Sequence, residues 1–154
     1  MRRLRPLLAV PMAAVVGGAL WLWTPDRPRA DLESRYLAQP GDLRDLAGVR
    51  LHVRDTGPRD APAVILIHGF GSSLHTWEDW ARTLSAGYRV IRFDLPGSGL
   101  SDPDPTGDYT DRRSLQVLAA LMDGLGVRRA SLIAPTSSSW SRRTASRVPA
   151  SGMA

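Results

Sequence analysis

The sequence of 154 residues contains no cysteine and no lysine. Without cysteine, the protein cannot form disulfide bonds, and it has neither a thiolate nucleophile nor a cysteine ligand for zinc. All twenty basic residues are arginine, which together with abundant alanine, glycine and proline indicates a GC-rich coding sequence. The length corresponds to about one domain.

A concentrated basic stripe is also missing, although the formal net charge is +5. Between residues 24 and 133, 14 arginines face 15 aspartates and glutamates. The excess positive charge lies at the two ends of the chain, on Arg2, Arg3, Arg5, Arg142, Arg143 and Arg147. A nucleic-acid partner is therefore not expected, because such partners require clustered positive charge along a phosphate backbone.

The N-terminal region has no charged residue between Pro6 and Pro25. That length is what a helix needs to cross a bilayer. Residues 1–25 therefore predict a signal anchor, with its arginines in the cytoplasm and the rest of the chain outside it. Trp21 and Trp23 favour retention of the anchor, and cleavage to a secreted or periplasmic product is the alternative. Residues 26–42, rich in proline and charge, predict a linker.

Residues 43–133 alternate between strand and helix patterns. Residues 49–55 alternate apolar and polar side chains and predict a half-buried strand, preceded by a short hairpin strand with Gly48 in the turn. The apolar run Ala63–Ile67 predicts a central parallel strand, and residues 88–94 and Ala130–Ile133 predict two more. This order predicts an α/β fold with a mostly parallel sheet and helices on both faces.

Two helices are predicted between these strands. Residues 74–84 have apolar side chains at helical spacing, with Ser72 or Ser73 as the N-cap and with Trp77 and Trp80 interpreted as packing residues. Thr110 begins the second helix and Gly126 ends it. Its apolar stripe is formed by Leu115, Leu118, Met122 and Leu125.

Two motifs follow neighbouring strands, at the edge where α/β sheets place function. His68-Gly69-Phe70-Gly71 follows the first, and backbone N–H groups of such a turn can donate to a developing oxyanion. Asp94-Leu95-Pro96-Gly97-Ser98-Gly99-Leu100-Ser101 follows the second. In this order and spacing, residues 43–133 resemble the N-terminal half of the α/β-hydrolase fold superfamily, of the membrane-anchored bacterial type.

The resemblance implies roles for individual residues. Phe70 would supply one N–H of the oxyanion hole, in a turn shaped by His68, Gly69 and Gly71. The loop after the next strand would be structural, through Asp94, Pro96, Gly97 and Gly99. The resemblance implies a small-molecule substrate and no metal or organic cofactor.

The other polar residues are expected to have no catalytic role. His68 is interpreted as a turn-stabilising residue, and His52 and His75 as lying on solvated or partly buried faces. A calcium loop is disfavoured because Pro103 and Pro105 interrupt the acidic series and an EF-hand glycine and glutamate are missing. We therefore expect a solvated acidic loop, which contains Asp102, Asp104, Asp108 and Asp111.

The pattern changes after Ile133, where the family places Gly-x-Ser-x-Gly. Ala134 and Ser138 occupy the glycine positions, Pro135 precedes the nucleophile position, and Thr136 occupies it. Proline constrains the backbone there, and a β-branched residue disfavours the strained turn. Nor are Ser137 and Ser139 framed by glycines at the required spacing.

No Asp, Glu or His follows Ile133, although the family order is nucleophile, acid, then histidine. Residues 134–154 have no helical or strand period and predict an irregular tail. We hypothesise a disrupted reading frame near codon 134, with natural truncation as the alternative. The strand Ala130–Ile133 would then be an edge strand and an aggregation hazard.

The expected activity of the complete form is that of a serine hydrolase acting on a small, apolar, ester-like substrate. Epoxide hydrolase, dehalogenase and carbon–carbon hydrolase chemistry remain open, because the nucleophile is not identified. The chain as written is expected to be inactive, and a catalytically dead anchored fragment or interaction module is the alternative of a different class.

Overall fold

The computed structural model describes residues 26–135, together with Met12, Val15, Gly17, Gly18, Trp21 and Leu22. The helices are α1 (Arg29–Tyr36), α2 (Glu78–Leu84) and α3 (Asp111–Gly124). The strands are β1 (Leu43–Leu46), β2 (Val49–Thr56), β3 (Ala63–Ile67), β4 (Arg89–Phe93) and β5 (Ala130–Ile133). Short 3₁₀ turns cover Pro40–Asp42 and Leu74–Trp77.

These five strands form one mixed sheet in the order β1-β2-β4-β3-β5. The β1–β2 and β2–β4 pairs are antiparallel, whereas β3 is parallel to both β4 and β5. The predicted hairpin and the parallel pairing of β3 with β4 and β5 are confirmed, but the sheet as described is mixed, because β2 pairs antiparallel with β4. In the described part of the chain β5 lies at one edge, as expected from the sequence.

Alternate residues of β3 enter two apolar clusters, which explains why its sequence is apolar throughout. Ile65 and Ile67 pack on the face that α3 covers, through Leu118 and Leu121. On the other face, Val64 and Leu66 pack with Ala81 of α2. The sheet is therefore covered on both faces around β3, as predicted.

The hairpin turn requires positive φ at both of its central residues, Ala47 (52°) and Gly48 (76°). Two consecutive positive angles suit a tight hairpin, but they cost energy at a residue with a side chain. Arg113 of α3 donates a hydrogen bond of 2.7 Å to the Ala47 carbonyl. The turn is thus held by α3 as well as by its own conformation.

Helix α3 begins and ends as predicted. The Thr110 side chain accepts a hydrogen bond from the Arg113 N–H at 3.3 Å. At the other end Gly126 has a φ of 66°, and its N–H bonds the Asp123 carbonyl. The Val127 N–H bonds the Met122 carbonyl at 2.8 Å, which completes a Schellman motif.

The predicted serine cap of α2 is wrong. The first turn of this helical segment is 3₁₀, and the Ser73 side chain makes no capping hydrogen bond. Instead, the Leu74 N–H donates to Asp94 Oδ1 at 2.7 Å. A carboxylate from the end of β4 thus replaces the local cap, and it also suits the positive end of a helix.

The N-terminal predictions fall largely outside the described residues. Within the part of the chain that the structure describes, no helix combines the length and the apolar character needed to cross a bilayer. The segment expected to be a linker contains α1, which packs against the loop after β4.

Candidate active site

The two sequence motifs meet at the carboxyl ends of the parallel strands. The turn His68-Gly69-Phe70-Gly71 follows β3, and the loop beginning at Asp94 follows the adjacent β4. A cavity of about 480 Å³ lies between them. Its walls come from both motifs and from residues near the start of α3, among them Tyr109, Arg113, Ser114 and Val117.

His68 joins the two motifs and is almost fully buried. Its Nε2 accepts a hydrogen bond from the Leu95 N–H at 2.9 Å, so this nitrogen carries no proton. Its Nδ1 therefore carries the proton and donates to the Gly69 carbonyl at 2.8 Å. Both ring nitrogens are engaged, and the ring holds one loop against the other.

Phe70 lies at the tip of the turn, with its side chain fully exposed. Among the described residues, its N–H has no hydrogen-bond acceptor. Gly71 has a φ of 65°, which a residue with a Cβ rarely adopts. The turn therefore presents an unpaired backbone donor beside the cavity, which is the arrangement that an oxyanion hole requires.

Asp94 organises the loop after β4 from inside the protein, where it is 1% exposed. One carboxylate oxygen accepts from the Leu74 N–H, and the other accepts from the Leu100 N–H and His52 Nδ1, at 2.7–2.9 Å. Burial alone would raise the pKa of Asp94, but these hydrogen bonds outweigh burial and lower it. The carboxylate remains ionised and ties β2, β4 and the start of the α2 segment together.

Two glycines allow this loop to pack closely. A Cβ on Gly99 would lie 2.1 Å from Asp94 Oδ2, and the φ of Gly99 is 52°. Gly97, with a φ of 77°, lies where a Cβ would be 3.3 Å from the Tyr109 hydroxyl. Pro96 and Gly97 line the cavity beside Leu95.

The interpretation of His52 as a solvated or partly buried residue is wrong. Its side chain is fully buried, because the loop after β4 covers the outward face of β2. Ser101 reinforces this contact, since its Oγ accepts from the His52 N–H at 2.9 Å and donates to the Asp94 carbonyl at 2.7 Å. The alternating pattern of residues 49–55 could not reveal a partner that lies 42 residues away.

The acidic loop is not simply solvated, which corrects a second interpretation. Asp104 is 5% exposed and binds Arg113 Nε at 2.7 Å. Hydrogen bonds from the Thr106 side chain and from Arg113 lower the pKa of Asp104 to about 2. Asp102 pairs with both Arg29 and Arg50, and Asp108 accepts from the Thr110 N–H at 2.9 Å.

Arg29 of α1 holds the loop from outside. Its guanidinium bonds Asp102 at 2.5 Å and the Leu100 carbonyl at 2.7 Å, and its Nε bonds Glu33 at 2.6 Å. No sequence pattern indicated this contact, because Arg29 lies 71 residues from Leu100 in a segment expected to be a linker. Tyr109 and Arg113 were missed for a similar reason, since only the fold places them beside the two motifs.

The remaining histidine, His75, lies outside the cavity. Its ring is 5.5 Å from Tyr36 and 6.1 Å from His52, and its Nδ1 is 3.6 Å from Glu78. It is 35% exposed in its side chain, which agrees with a partly buried position. Trp77 packs against the α2-side cluster as interpreted, whereas Trp80 is 55% exposed.

After β5 the structure describes two further residues, Ala134 and Pro135. The Pro135 ring lies against the turn after β3, where a Cβ on Gly69 would be 3.1 Å from it. The residue that precedes the expected nucleophile position therefore lies beside the candidate oxyanion hole. Thr136, Ser137, Ser138 and Ser139 lie outside the described residues.

Comparison with known proteins places these features in a family. Residues 62–134 match the family model described as alpha/beta hydrolase fold. A haloalkane dehalogenase of Psychrobacter cryohalolentis is 40% identical over 118 residues, which are 72% of this chain and 38% of that protein. Epoxide hydrolase 3 of Xenopus tropicalis is 35% identical over 114 residues, 72% of this chain and 31% of that protein.

Among solved structures, an enol-lactonase from Burkholderia xenovorans LB400 superposes with a TM-score of 0.56 at 33% identity. The match covers 60% of this chain and 36% of the lactonase. The chain spans roughly a third of the length of the curated relatives that it matches. Sheet order, motif positions and similarity agree, and residues 62–134 of the chain belong to the alpha/beta hydrolase fold family.

Proposed function

We propose that the described residues form the oxyanion-stabilising part of a hydrolase site for small, apolar, ester-like substrates. The observation that carries this proposal is the unpaired N–H of Phe70 at the carboxyl end of β3, beside a cavity of about 480 Å³. In hydrolysis of an ester, such a donor stabilises the negative oxygen of the tetrahedral intermediate. A serine is the nucleophile in this proposal, supplied beyond Ile133.

His68 supports the donor rather than the proton transfer. Because both of its ring nitrogens are hydrogen-bonded to the backbone, it fixes the turn against Leu95. His52 is buried against Asp94, and His75 lies near Glu78. No histidine in the described part of the chain is placed as the general base, so that group has to come from elsewhere in the complete enzyme.

A second chemistry has support from the comparisons. Relatives named as a haloalkane dehalogenase and an epoxide hydrolase cover the same part of the chain as the two motifs. Both names describe hydrolysis of small electrophilic compounds, and the same cavity and donor would suit an aspartate nucleophile, whose covalent ester also passes through an oxyanion.

A non-catalytic role is the alternative for the 154-residue chain itself. The engagement of all three histidines and the packing of Pro135 against Gly69 favour it. An active-site serine probe separates the two possibilities. We expect no heat-sensitive labelling of the purified chain, and strong labelling that is lost with one serine beyond Ile133 would show that this chain carries its own nucleophile.

The decisive experiment replaces Phe70 in the product of the intact locus, whose sequence around codon 134 is determined first. Phe70→Pro removes the N–H, and Phe70→Leu retains it with a different side chain. Turnover is measured with p-nitrophenyl butyrate, 1-bromobutane and styrene oxide. We expect the proline variant to lose about 100- to 1,000-fold in kcat on one of these substrates, the usual cost of one oxyanion donor.

The leucine variant is the matched control and should retain turnover within a few-fold. Equal activity of both variants would exclude the Phe70 N–H as an oxyanion donor. The substrate that turns over also distinguishes ester, carbon–halogen and epoxide chemistry. Urea unfolding of each variant checks that the substitution has not disrupted the fold.

We further propose that residues 1–25 anchor the protein in a membrane with the hydrolase part outside the cytoplasm. Support comes from the uncharged stretch between Pro6 and Pro25 and from the arginines that precede it. Carbonate extraction and protease accessibility of intact spheroplasts test the anchor and its orientation. Release of the protein by carbonate would contradict the anchor, and a shortened mature N-terminus would indicate signal cleavage.

A further inference from the structure

The opposite end of the sheet contains a second concave site. A cavity of about 680 Å³ lies at the amino ends of β3, β4 and β5. The candidate active site lies at the carboxyl ends of the same strands, so the two sites are separated by the length of the sheet. The volume falls in the range typical of small-molecule sites.

Four arginines from three separate parts of the chain line this cavity. Arg59 comes from the loop before β3, Arg89 begins β4, and Arg128 and Arg129 precede β5. The sequence shows no basic stripe because only the fold brings these residues together. We define this group of four as the basic cluster.

Asp55 fixes the floor of the basic cluster. It accepts two hydrogen bonds from Arg89, at 2.8 and 3.1 Å, and it also pairs with Arg59. Arg89 bonds the Leu125 carbonyl as well, at 2.9 Å, which connects β4 to the end of α3. With Asp60 as the other acid at the site, four positive charges face two negative charges and leave an excess of two.

Arg128 and Arg129 carry this excess. Both are exposed, and within the described part of the chain neither forms an ion pair. Their backbone is nevertheless positioned, because it follows the Schellman motif of α3 directly and Val127 is buried. Two guanidinium groups are thus presented from a fixed turn beside a cavity.

We propose that the basic cluster binds a phosphate-bearing anion, with Arg128 and Arg129 as the principal ligands. Guanidinium groups match phosphate oxygens with paired N–H donors, and such charge-assisted bonds are stronger than neutral ones. The excess of two positive charges complements a doubly charged phosphate or a diphosphate. The group can belong to a soluble phosphorylated molecule or to a lipid headgroup, and the experiment distinguishes these sources.

The test is calorimetric titration of the full chain in neutral detergent with sodium pyrophosphate at low ionic strength. We expect binding to weaken about tenfold or more in the Arg128→Gln/Arg129→Gln variant, as expected when charge-assisted hydrogen bonds are lost. The control Arg82→Gln/Arg112→Gln removes the same charge from α2 and from the other end of α3, and its affinity should stay within about twofold. Equal weakening in both variants would reduce the effect to general charge attraction and overturn the site.

The Arg128→Lys/Arg129→Lys variant tests the paired geometry. It keeps the charge but not the planar donors, so we expect an intermediate affinity. Affinity equal to that of the wild type would contradict recognition by guanidinium groups. No binding by the wild type, of either pyrophosphate or the lipid below, would overturn the proposal.

A second titration identifies the source of the phosphate group. Phosphatidic acid in the detergent micelles replaces pyrophosphate, and chain binding is compared between wild type and the double glutamine variant. If the double glutamine substitution weakens binding of the lipid but not of pyrophosphate, the site binds a lipid headgroup. A dependence only with pyrophosphate identifies a soluble ligand. Thermal melting of each variant without ligand verifies that folding is unchanged.

Discussion

The loop after β4 is held from two sides, by Asp94 inside the protein and by Arg29 at its surface. Asp94 is buried and accepts three hydrogen bonds, two of them from the backbone. Arg29 also makes three hydrogen bonds, but its side chain is 38% exposed and its ion pairs face water. Asp94 and Arg29 thus make the same number of hydrogen bonds, but the bonds contribute differently to stability because Asp94 is buried and Arg29 is partly exposed. A buried carboxylate without its partners is costly, whereas an exposed ion pair contributes little.

The largest effect is expected for Asp94→Asn. The amide places an N–H group among three donors, so at least one buried donor loses its acceptor. We expect a loss of about 3–5 kcal/mol in the free energy of unfolding, measured with urea and tryptophan fluorescence. The control Asp102→Asn, which removes the acid paired with Arg29, should cost about 1 kcal/mol or less. Equal losses in the two variants would show that burial does not distinguish the two sides of the loop.

Gly99→Ala disturbs the inner side of the loop without removing a charge. The added Cβ would meet Asp94 Oδ2 at 2.1 Å and would also adopt a φ of 52°. We expect a loss of about 2–4 kcal/mol from overpacking and backbone strain together. Gly107→Ala is the matched control, because Gly107 has a φ of 66° and open space around it. It should lose only the strain, about 1–2 kcal/mol.

The sequence predicted the elements of the fold better than the contacts between them. Residues close together in the sequence define the stretches that form β3, β4 and β5, and they also define the caps of α3. Local pattern is therefore enough to locate these elements. The pairing of His52 with Asp94, the capping of Leu74 by Asp94 and the contact of Arg29 with Leu100 join residues that are distant in the chain. Single-sequence patterns carry no information on such partners.

The candidate site follows the same division. The His68-Gly69-Phe70-Gly71 turn was predicted because a glycine-rich motif directly after a buried strand has a local signature. Tyr109 and Arg113 line the same cavity, but their positions depend on how α3 packs on the sheet. The basic cluster is the clearest example, since its four arginines come from three segments with no basic run.

Acid titration separates the contributions that the Asp94 and Asp104 carboxylates make to the free energy of unfolding. Hydrogen bonds lower the pKa of Asp94 against the opposing effect of burial, and they lower that of Asp104 to about 2. Because the folded pKa is lowered, the stabilisation is complete above the unfolded pKa of about 3.9 and is lost as the pH falls through the folded value. We expect the free energy of unfolding of the wild type to decrease as the pH falls from about 4 to 2.

This decrease should become smaller in Asp94→Asn and in Asp104→Asn, because each variant lacks one of the linked carboxylates. Asp26→Asn, which changes an exposed acid before α1, serves as the control and should keep the slope of the wild type. If the slope of the free energy of unfolding against pH is unchanged in both Asp94→Asn and Asp104→Asn, other groups control acid unfolding. The measurement is urea unfolding at a series of pH values.

Arg29→Ala is expected to have the smallest effect and tests the outer side of the loop. It removes contacts with Asp102, Leu100 and Glu33, but each replaced bond can be made with water because the groups are partly exposed. We expect a loss of about 1 kcal/mol or less, reduced further by added salt. Hydrogen exchange should nevertheless change locally, with faster exchange in α1 and unchanged protection of the Leu100 N–H, since Asp94 still accepts from it. Faster exchange at Leu100 as well would show that α1 helps to maintain the inner hydrogen bonds, so that the two sides of the loop are coupled.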